Sequence, residues 1–272
     1  MNRARPVWIT LLLVWSLLPM LWQLVSSFTS SDALVSGSVP FDQRWTLAHY
    51  RDLFSTDPPF WRYLLNSAVV GTATTLLTLL LGVPAAYAIA RMTVRSKRLI
   101  RLLVSAAALF PYVLLFLALL ELARRFHLGN NLLAVAIPYT GLALPLALLL
   151  LISAFEGLPQ ELDDAARLEG LVLHQRLRWI LLPLIAPATA STGILVFLFA
   201  WNEYPIALTW LSRDSLLTLP VAMARIAGTS IYSIPYGAYA AATVLGSIPL
   251  LGLVLVFQRQ IVAGLTNGAV KG

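Results

Sequence analysis

The side chains that could do chemistry are concentrated in one polar stretch, residues 160–170, of an otherwise apolar chain. Its carboxylates belong to Glu161, Asp163, Asp164 and Glu169. Carboxylates serve as catalytic acids and bases or pair with basic groups of a partner. Ala165 and Ala166 follow Asp164 directly, and side chains this small let another protein approach the helix backbone closely. The pattern favours a docking surface for a soluble protein, with a solvated loop helix as the alternative.

Other kinds of chemistry have little support in the sequence. His49, His127 and His174 fall in three separate loops without metal-ligand spacing. The chain has no GxxxxGK[ST] phosphate loop, which an ATP-hydrolysing subunit would need. It also has no cysteine, so it can form neither disulfides nor thiolate metal sites. We therefore expect no enzyme activity, no metal site and no cofactor bound by this chain.

A short helix must present the acidic side chains. Pro159 is tolerated where a helix begins, and acids in the first turn are favoured by the helix dipole. Gly170 suits the left-handed conformation that ends many helices. Asp163 and Arg167 are spaced i, i+4, which adds a few tenths of a kcal/mol at most. The sequence therefore predicts a helix from about 160 to 169.

The composition is that of an integral membrane protein. Hydrophobic residues make up 59% of the 272 residues and charged residues 11%, against roughly a quarter charged in soluble domains. The net charge of +7 comes from basic residues that are scattered in short loops between apolar runs. This distribution is typical of residues that set membrane topology. It excludes a nucleic-acid-binding protein, whose basic residues would be clustered. We predict an all-α integral membrane protein with one transmembrane domain over residues 1–272.

About six segments approach the roughly 20 apolar residues that a membrane span needs. They are residues 7–28, 65–90, 99–123, 132–154, 181–204 and 238–258. A cleaved signal peptide is the alternative for the first, but its apolar run extends through Val25 and no small-x-small site follows directly. Six spans place both termini on the same side of the membrane.

The basic residues predict which side that is. With cytoplasmic termini, the inside segments hold most of the 19 Lys and Arg residues. The loop at 91–101 is the strongest signal, because it has no acid and carries Arg91, Arg95, Lys97, Arg98 and Arg101. We therefore predict a multi-pass protein of the cytoplasmic membrane with residues 154–181 inside. Residues 29–63 would hold a short amphipathic element outside, and residues 205–237 an external loop.

The acidic stretch resembles a known motif. Asp164-Ala165-Ala166, then Gly170, then Ile180-x-Leu182-Pro183 has the spacing of the EAA loop of ABC importer permeases. The sequence departs from that motif in having Asp at 164 where Glu is usual, and Glu at 169 where Asp is common. Because both positions keep their charge, the resemblance implies an ATPase-coupling loop.

Further segments resemble the maltose-type second permease subunit of carbohydrate importers. They are Asn66-Ser67, Ala85–Arg91, Phe199–Glu203 and the final stretch from Gly264 to Gly272. The resemblance implies a maltose-type permease fold in a bacterial inner membrane. It also implies a heterodimer with a second permease, two cytoplasmic ABC ATPase subunits that bind ATP and Mg, and an external solute-binding protein.

The resemblance implies two ATPase contacts. The coupling helix would contact one ATPase subunit through Asp164, Ala165, Ala166, Glu169 and Gly170. The C-terminal tail would reach between the two ATPase subunits with Gly268, Ala269, Val270, Lys271 and Gly272, although most chain ends are simply frayed.

A sugar path needs polar groups and an aromatic face. Trp201, Asn202 and Glu203 near the outer end of the fifth span are the candidates, because polar groups within a membrane protein normally face an aqueous path. An interfacial Trp is equally expected there. A permease for a non-sugar solute and a self-sufficient secondary transporter remain as alternative functions; the latter usually has ionisable groups at the membrane midplane.

Overall fold

A computed structural model of the protein describes residues 4–36, 45–228 and 235–269. In this part of the chain the regular structure is helical, apart from an isolated bridge between Thr29 and Trp45. The predicted all-α class is confirmed. Helices suit this composition because lipid offers no hydrogen-bond partners, so each span must satisfy its backbone groups internally.

The described residues form fourteen α-helices. They are α1 (Ala4–Phe28), α2 (Ser31–Ser36), α3 (Ala48–Ser55), α4 (Phe60–Ala90), α5 (Val94–Ala108), α6 (Phe116–Arg125), α7 (Leu132–Glu156), α8 (Gln160–Leu168), α9 (Leu173–Gln175), α10 (Leu182–Leu184), α11 (Ala186–Asn202), α12 (Pro205–Trp210), α13 (Leu219–Ala227) and α14 (Tyr236–Ala269). Single 3-10 turns at Tyr112–Leu115 and Asp214–Leu216 and a π-helical turn at Arg176–Leu181 complete the regular structure of the described residues.

Four helices of the described chain, α1, α4, α7 and α14, are each long and apolar enough to cross a membrane. Two bent pairs reach the same length together: α5 with Tyr112–Arg125, bent by 77°, and Leu173–Leu184 with α11, bent by 86°. The described residues therefore provide up to six spans, in the six predicted regions, if each bent pair counts as one. The bends themselves were not predicted.

Proline accounts for both bends. Pro111 lies between the two parts of the third span and has no N–H to continue the helical hydrogen bonding. It also disfavours helical geometry at the preceding Phe110. Pro187 has the same effect in the first turn of α11, directly after the break at Ile185.

Residue contacts divide the chain into two compact units, of which the first comprises Met1–Leu65 and Thr218–Leu251. In this unit α3 is the short amphipathic helix predicted within residues 29–63. Its buried side chains are His49 and Leu53. The His49 ring nitrogen Nε2 lies 2.9 Å from the carbonyl oxygen of Thr29, which fixes α3 against the chain that follows α1.

The second unit comprises Asn66–Leu217 and Gly252–Gly272. In it α7 packs against both α5 and α11. Its main core cluster joins the last turns of α4 and α7 to the π-helical turn. The buried members are Val83, Ala86, Tyr87, Ile89, Ala90, Leu148, Leu151, Ile152, Phe155, Leu181 and Ile185. Leu158, two residues before α8, packs against this cluster.

Two asparagines hold the segment that follows α12. The buried Asn66 carboxamide donates to the carbonyl oxygens of Leu217, at 2.9 Å, and Ser215, at 3.1 Å. Asn130 Oδ1 accepts from the backbone N–H of Ser212 and that of Arg213, both at 2.9 Å. This part of the predicted external loop is therefore fixed to the second unit by side-chain hydrogen bonds.

Candidate functional site

The predicted acidic helix is present as α8, which ends one residue earlier than expected. Pro159 precedes its first residue, and the first turn carries Glu161 and Asp163. These carboxylates face the positive end of the helix dipole. With nine residues, α8 is too short to be stable in isolation, so it depends on its attachment to the rest of the second unit.

Gly170 ends the helix as the sequence predicted. Its φ angle is +80°, in the left-handed region. This turn lets the Gly170 N–H donate to the Arg167 carbonyl, at 3.0 Å, and the Leu171 N–H donate to the Ala166 carbonyl, at 3.1 Å. The two bonds satisfy carbonyls that would otherwise lack partners at the helix end.

The helix has one buried and one exposed face. Its buried residues are Asp163 and Ala166, with 1% and 3% of their surface exposed. The predicted coupling residues Asp164, Ala165, Glu169 and Gly170 are all exposed. Of the coupling residues predicted from the motif, Ala166 alone faces inward. The exposed face is therefore acidic at Asp164 and low in bulk at Ala165, as a docking surface requires.

Asp163 is the best-connected side chain of the helix. The Tyr87 hydroxyl donates to its Oδ2 at 2.5 Å, and Arg176 Nη1 donates to its Oδ1 at 2.6 Å. Arg91 Nε and Arg167 Nη2 lie 3.6 Å and 3.7 Å from Oδ2, within ion-pair distance. We call these five residues the Asp163 cluster.

The cluster holds Asp163 in its charged form. Burial alone raises the pKa of this carboxyl, but the hydrogen bonds from Tyr87 and Arg176 and the positive charge of Arg176 and Arg167 outweigh that effect and lower it. Arg91 and Arg176 are themselves largely buried, with 15% and 12% of their side chains exposed. One carboxylate thus pairs with two largely buried guanidinium groups.

A second ion pair lies next to the cluster. Glu156, at the end of α7, pairs with Lys97 at 3.2 Å and with Arg101, both on α5. Part of the basic inner loop predicted to set the topology is therefore paired with an acid. Tyr87 also packs edge to face against Phe155 of α7, with ring centroids 5.7 Å apart.

The predicted sugar-path residues occupy three different environments. Trp201 is buried and stacks on Phe197 at a centroid distance of 5.5 Å. Asn202 is exposed and donates to the carbonyl of Leu198 at 2.8 Å. Glu203 is buried and accepts from the Tyr139 hydroxyl and the backbone N–H groups at the start of α12. Asn202 is therefore the one of the three whose side chain is exposed.

A half-open cavity of about 680 Å³ lies in the second unit. Its wall is mostly apolar, with polar groups from Tyr112 and Thr192 and an aromatic face from Phe199. Tyr112 and Phe199 meet edge to face at 6.2 Å. Phe199 lines the cavity, whereas Trp201, Asn202 and Glu203, which follow it in the chain, do not. Their role in a sugar path stays a prediction.

The predicted tail contact falls largely outside the described residues. Gly268 and Ala269 are the last residues of α14. Val270, Lys271 and Gly272 lie outside the described part of the chain. Within that part, no three His, Cys, Asp or Glu side chains are grouped so that they could hold a metal ion.

Sequence reasoning missed the Asp163 cluster. It treated Asp163 and Arg167 as a weak surface pair, whereas the structure buries Asp163 among groups distant in sequence. One signal was available, because Tyr87 and Arg91 are polar residues one helical turn apart at the end of an apolar span. The contribution of Arg176 had no comparable signal.

Comparison with known proteins identifies the family. The family model described as "Binding-protein-dependent transport system inner membrane component" matches residues 78–266. The chain belongs to this family. As a permease of that family it is a membrane-embedded translocation subunit of an ABC importer.

Close relatives of this permease cover nearly all of its length. It is 38% identical to the sulfoquinovosyl glycerol transport system permease protein of Agrobacterium fabrum, over 97% of this chain and 92% of that one. It is also 38% identical to the trehalose transport system permease protein of Mycobacterium tuberculosis, over 97% and 95%. A third relative, the trehalose/maltose transport system permease protein of Thermococcus litoralis, shares 38% identity over 94% and 92%.

Solved structures share the permease's fold. A chain of a bacterial ABC transporter involved in the import of the acidic polysaccharide alginate superimposes with a TM-score of 0.79 at 21% identity, over 95% of this permease and 98% of that chain. At that identity the likeness concerns the fold alone.

Proposed function

We propose that this permease carries a sugar or sugar-like solute across the bacterial inner membrane, and that α8 is the surface on which a cytoplasmic ATPase subunit acts. The observation that carries the proposal is the two-sided character of α8. Its buried face is fixed to the second unit through Asp163, while Asp164 and Ala165 are exposed. A helix attached on one face and open on the other is suited to transmit a push from a partner.

Sugars are the substrate class that the relatives support. The permeases that are 38% identical over nearly the whole chain are named for sulfoquinovosyl glycerol, trehalose and trehalose/maltose. All three are carbohydrates or glycosides, rich in hydroxyl groups. A sugar binds through hydrogen bonds to those hydroxyls and through an aromatic face. The exposed Asn202 carboxamide would offer hydrogen-bonding groups, and Phe199 on the cavity wall would offer an aromatic face.

The proposed complex follows the family pattern. A second permease completes the pore, two ABC ATPase subunits bind ATP and Mg on the cytoplasmic side, and an external solute-binding protein delivers the sugar. The basic loop at 91–101 supports cytoplasmic termini. The tail from Gly268 to Gly272 would then lie on the same side as the ATPase subunits.

Transport would proceed by alternating access. ATP binds the closed arrangement of the ATPase subunits better than the open one, so binding shifts the complex towards the arrangement in which α8 has moved. The spans joined to α8 then tilt as packed bodies and open the sugar path to the other side. This chain performs no bond chemistry in the cycle.

The docking face can be tested by reversing its charge and filling its small site. Asp164→Arg combined with Ala165→Trp should prevent co-purification of the ATPase subunits with the permease. The arginine would repel basic groups of the partner that the acid attracts, and the tryptophan ring would keep the partner away from the helix backbone. Asp52→Arg, an exposed charge reversal on α3 in the first unit, is the matched control and should leave assembly unchanged.

A measurement of sugar uptake then distinguishes an ATP-driven importer from a secondary transporter. In proteoliposomes that contain the whole complex, radiolabelled trehalose should accumulate only with ATP inside and binding protein outside. An ATPase-free permease that accumulates trehalose from an ion gradient would instead be a secondary transporter. Assembly that survives the double substitution would refute the proposed role of α8.

A further inference from the structure

The attachment of α8 depends on very few side chains. Asp163 and Ala166 are the buried residues of this helix. Ala166 offers only a methyl group, so its packing cannot fix the direction in which the helix points. The hydrogen bonds and ion pairs of Asp163 are directional, and they provide the orientation that apolar contact does not.

Asp163 joins α8 to two other elements of the second unit. Tyr87 lies in the last turn of α4 and Arg91 directly follows that helix, one turn further on, and both reach the carboxylate. Arg176 is the first residue of the π-helical turn Arg176–Leu181, which leads towards α11. One buried carboxylate therefore connects the proposed coupling helix with the ends of two membrane-spanning segments.

The charge balance makes this connection hard to replace. Without the carboxylate, the guanidinium groups of Arg91 and Arg176 would remain buried side by side with no opposite charge. Some donors of these two side chains already lack acceptors: Arg91 Nε and Nη2 and Arg176 Nε are buried and have no hydrogen-bond partner. A neutral side chain at 163 would leave more of these donors unpaired.

We infer that Asp163 is a positioning residue that makes α8, the end of α4 and the turn Arg176–Leu181 move as one body when the ATPase subunits act on α8. The inference rests on the proposed function of α8. It assigns to Asp163 a task different from that of Asp164: Asp164 meets the partner, and Asp163 passes the displacement on to the spans.

Spin-label distances test the rigid connection without knowledge of the sugar. The chain has no cysteine, so Gln160→Cys on α8 and Met92→Cys just after α4 can be labelled specifically. Both positions are exposed. In the assembled complex, the distance between the labels should stay the same, within about 2 Å, in the nucleotide-free and the ATP-vanadate states. With Asp163→Asn the distance should differ between the two states.

Coupling is measured on the same complexes by ATP hydrolysis in proteoliposomes. We expect Asp163→Asn to reduce the stimulation by the external binding protein about tenfold while basal hydrolysis is kept. Glu161→Gln, an exposed acid in the same turn, is the matched control and should behave like wild type. Tyr87→Phe removes one hydrogen bond to Asp163 with little change in shape, and should give a smaller loss in the same direction.

The outcomes separate this inference from the proposed docking. A label distance that already changes in the wild-type complex would show that α8 and α4 do not move together. A parallel loss of assembly, basal hydrolysis and stimulation in both Asp163→Asn and Tyr87→Phe would show that Asp163 merely supports folding. Either result overturns the positioning role, while the docking role of Asp164 is decided separately by co-purification.

Discussion

The end of α8 offers a sharp test of how its shape is maintained, through the substitution Gly170→Ala. The φ angle of +80° places residue 170 in the left-handed region, which costs a residue with a Cβ about 1–2 kcal/mol. An added Cβ would meet no atom within 4 Å, so steric contact contributes nothing. Alanine also restricts the unfolded chain, which offsets up to about 1 kcal/mol. The net loss should be about 1 kcal/mol, or roughly a fivefold shift towards an open helix end.

Hydrogen exchange measures this loss directly. The amides of residues 170 and 171 donate to the carbonyls of Arg167 and Ala166, so opening of the end exposes them. We expect these two amides, followed in a peptide covering 160–172, to exchange about fivefold faster in Gly170→Ala than in the wild-type permease. The assay needs only the purified permease in a lipid nanodisc.

Two controls isolate the backbone effect. Gly170→Asn should stay close to wild type, because Asn tolerates the left-handed conformation. Gly252→Ala adds a Cβ at another open position, but within the regular helix α14, and should leave the exchange of 160–172 unchanged. Wild-type exchange in Gly170→Ala would mean that α8 does not depend on this turn, and the reasoning about its end would be wrong.

Two further predictions concern buried polar groups. Asn66→Ala leaves the carbonyls of Leu217 and Ser215 without their donor, so the free energy of unfolding should fall by about 1–3 kcal/mol; Asn202→Ala, exposed, should change it by less than about 0.5 kcal/mol in the same thermal-unfolding assay. The pKa of Asp163 is lowered in the folded protein from its ordinary value of 3.8, so its stabilisation should be complete at neutral pH and disappear as the pH falls below 3.8 through the lower, folded value. Unfolding of wild type and Asp163→Asn should therefore converge in acid; a constant difference between them would contradict this.

The sequence allowed the local features of the fold to be predicted. Apolar runs of span length mark the six membrane regions because lipid demands long helices. The start and end of α8 were predictable because Pro159 and Gly170 act through the backbone alone. The bends in the third and fifth spans were missed, although Pro111 and Pro187 lie where they occur. A run of apolar residues gives the length of a span but not its direction.

The contacts between residues distant in the chain could not be predicted from the sequence. Arg176 and Tyr87 are 89 residues apart along the chain, and only packing brings both to Asp163. The same holds for Glu203, whose carboxylate accepts bonds from Tyr139 and from the first turn of α12. A polar residue in an apolar segment indicates that it has a partner, whether protein, water or substrate, and does not say which.

The neighbouring acids Asp163 and Asp164 show how much depends on the register of α8. Consecutive residues of an α-helix point about 100° apart, so one of two adjacent acids can face the protein while the next faces outward. A slip of one residue would bring Asp164 to Tyr87 and Arg176 and expose the acid that compensates the buried arginines. The proline before α8 and the left-handed Gly170 after it fix both ends of the helix. The same two residues therefore determine which acid holds the helix in place and which is left to meet a partner.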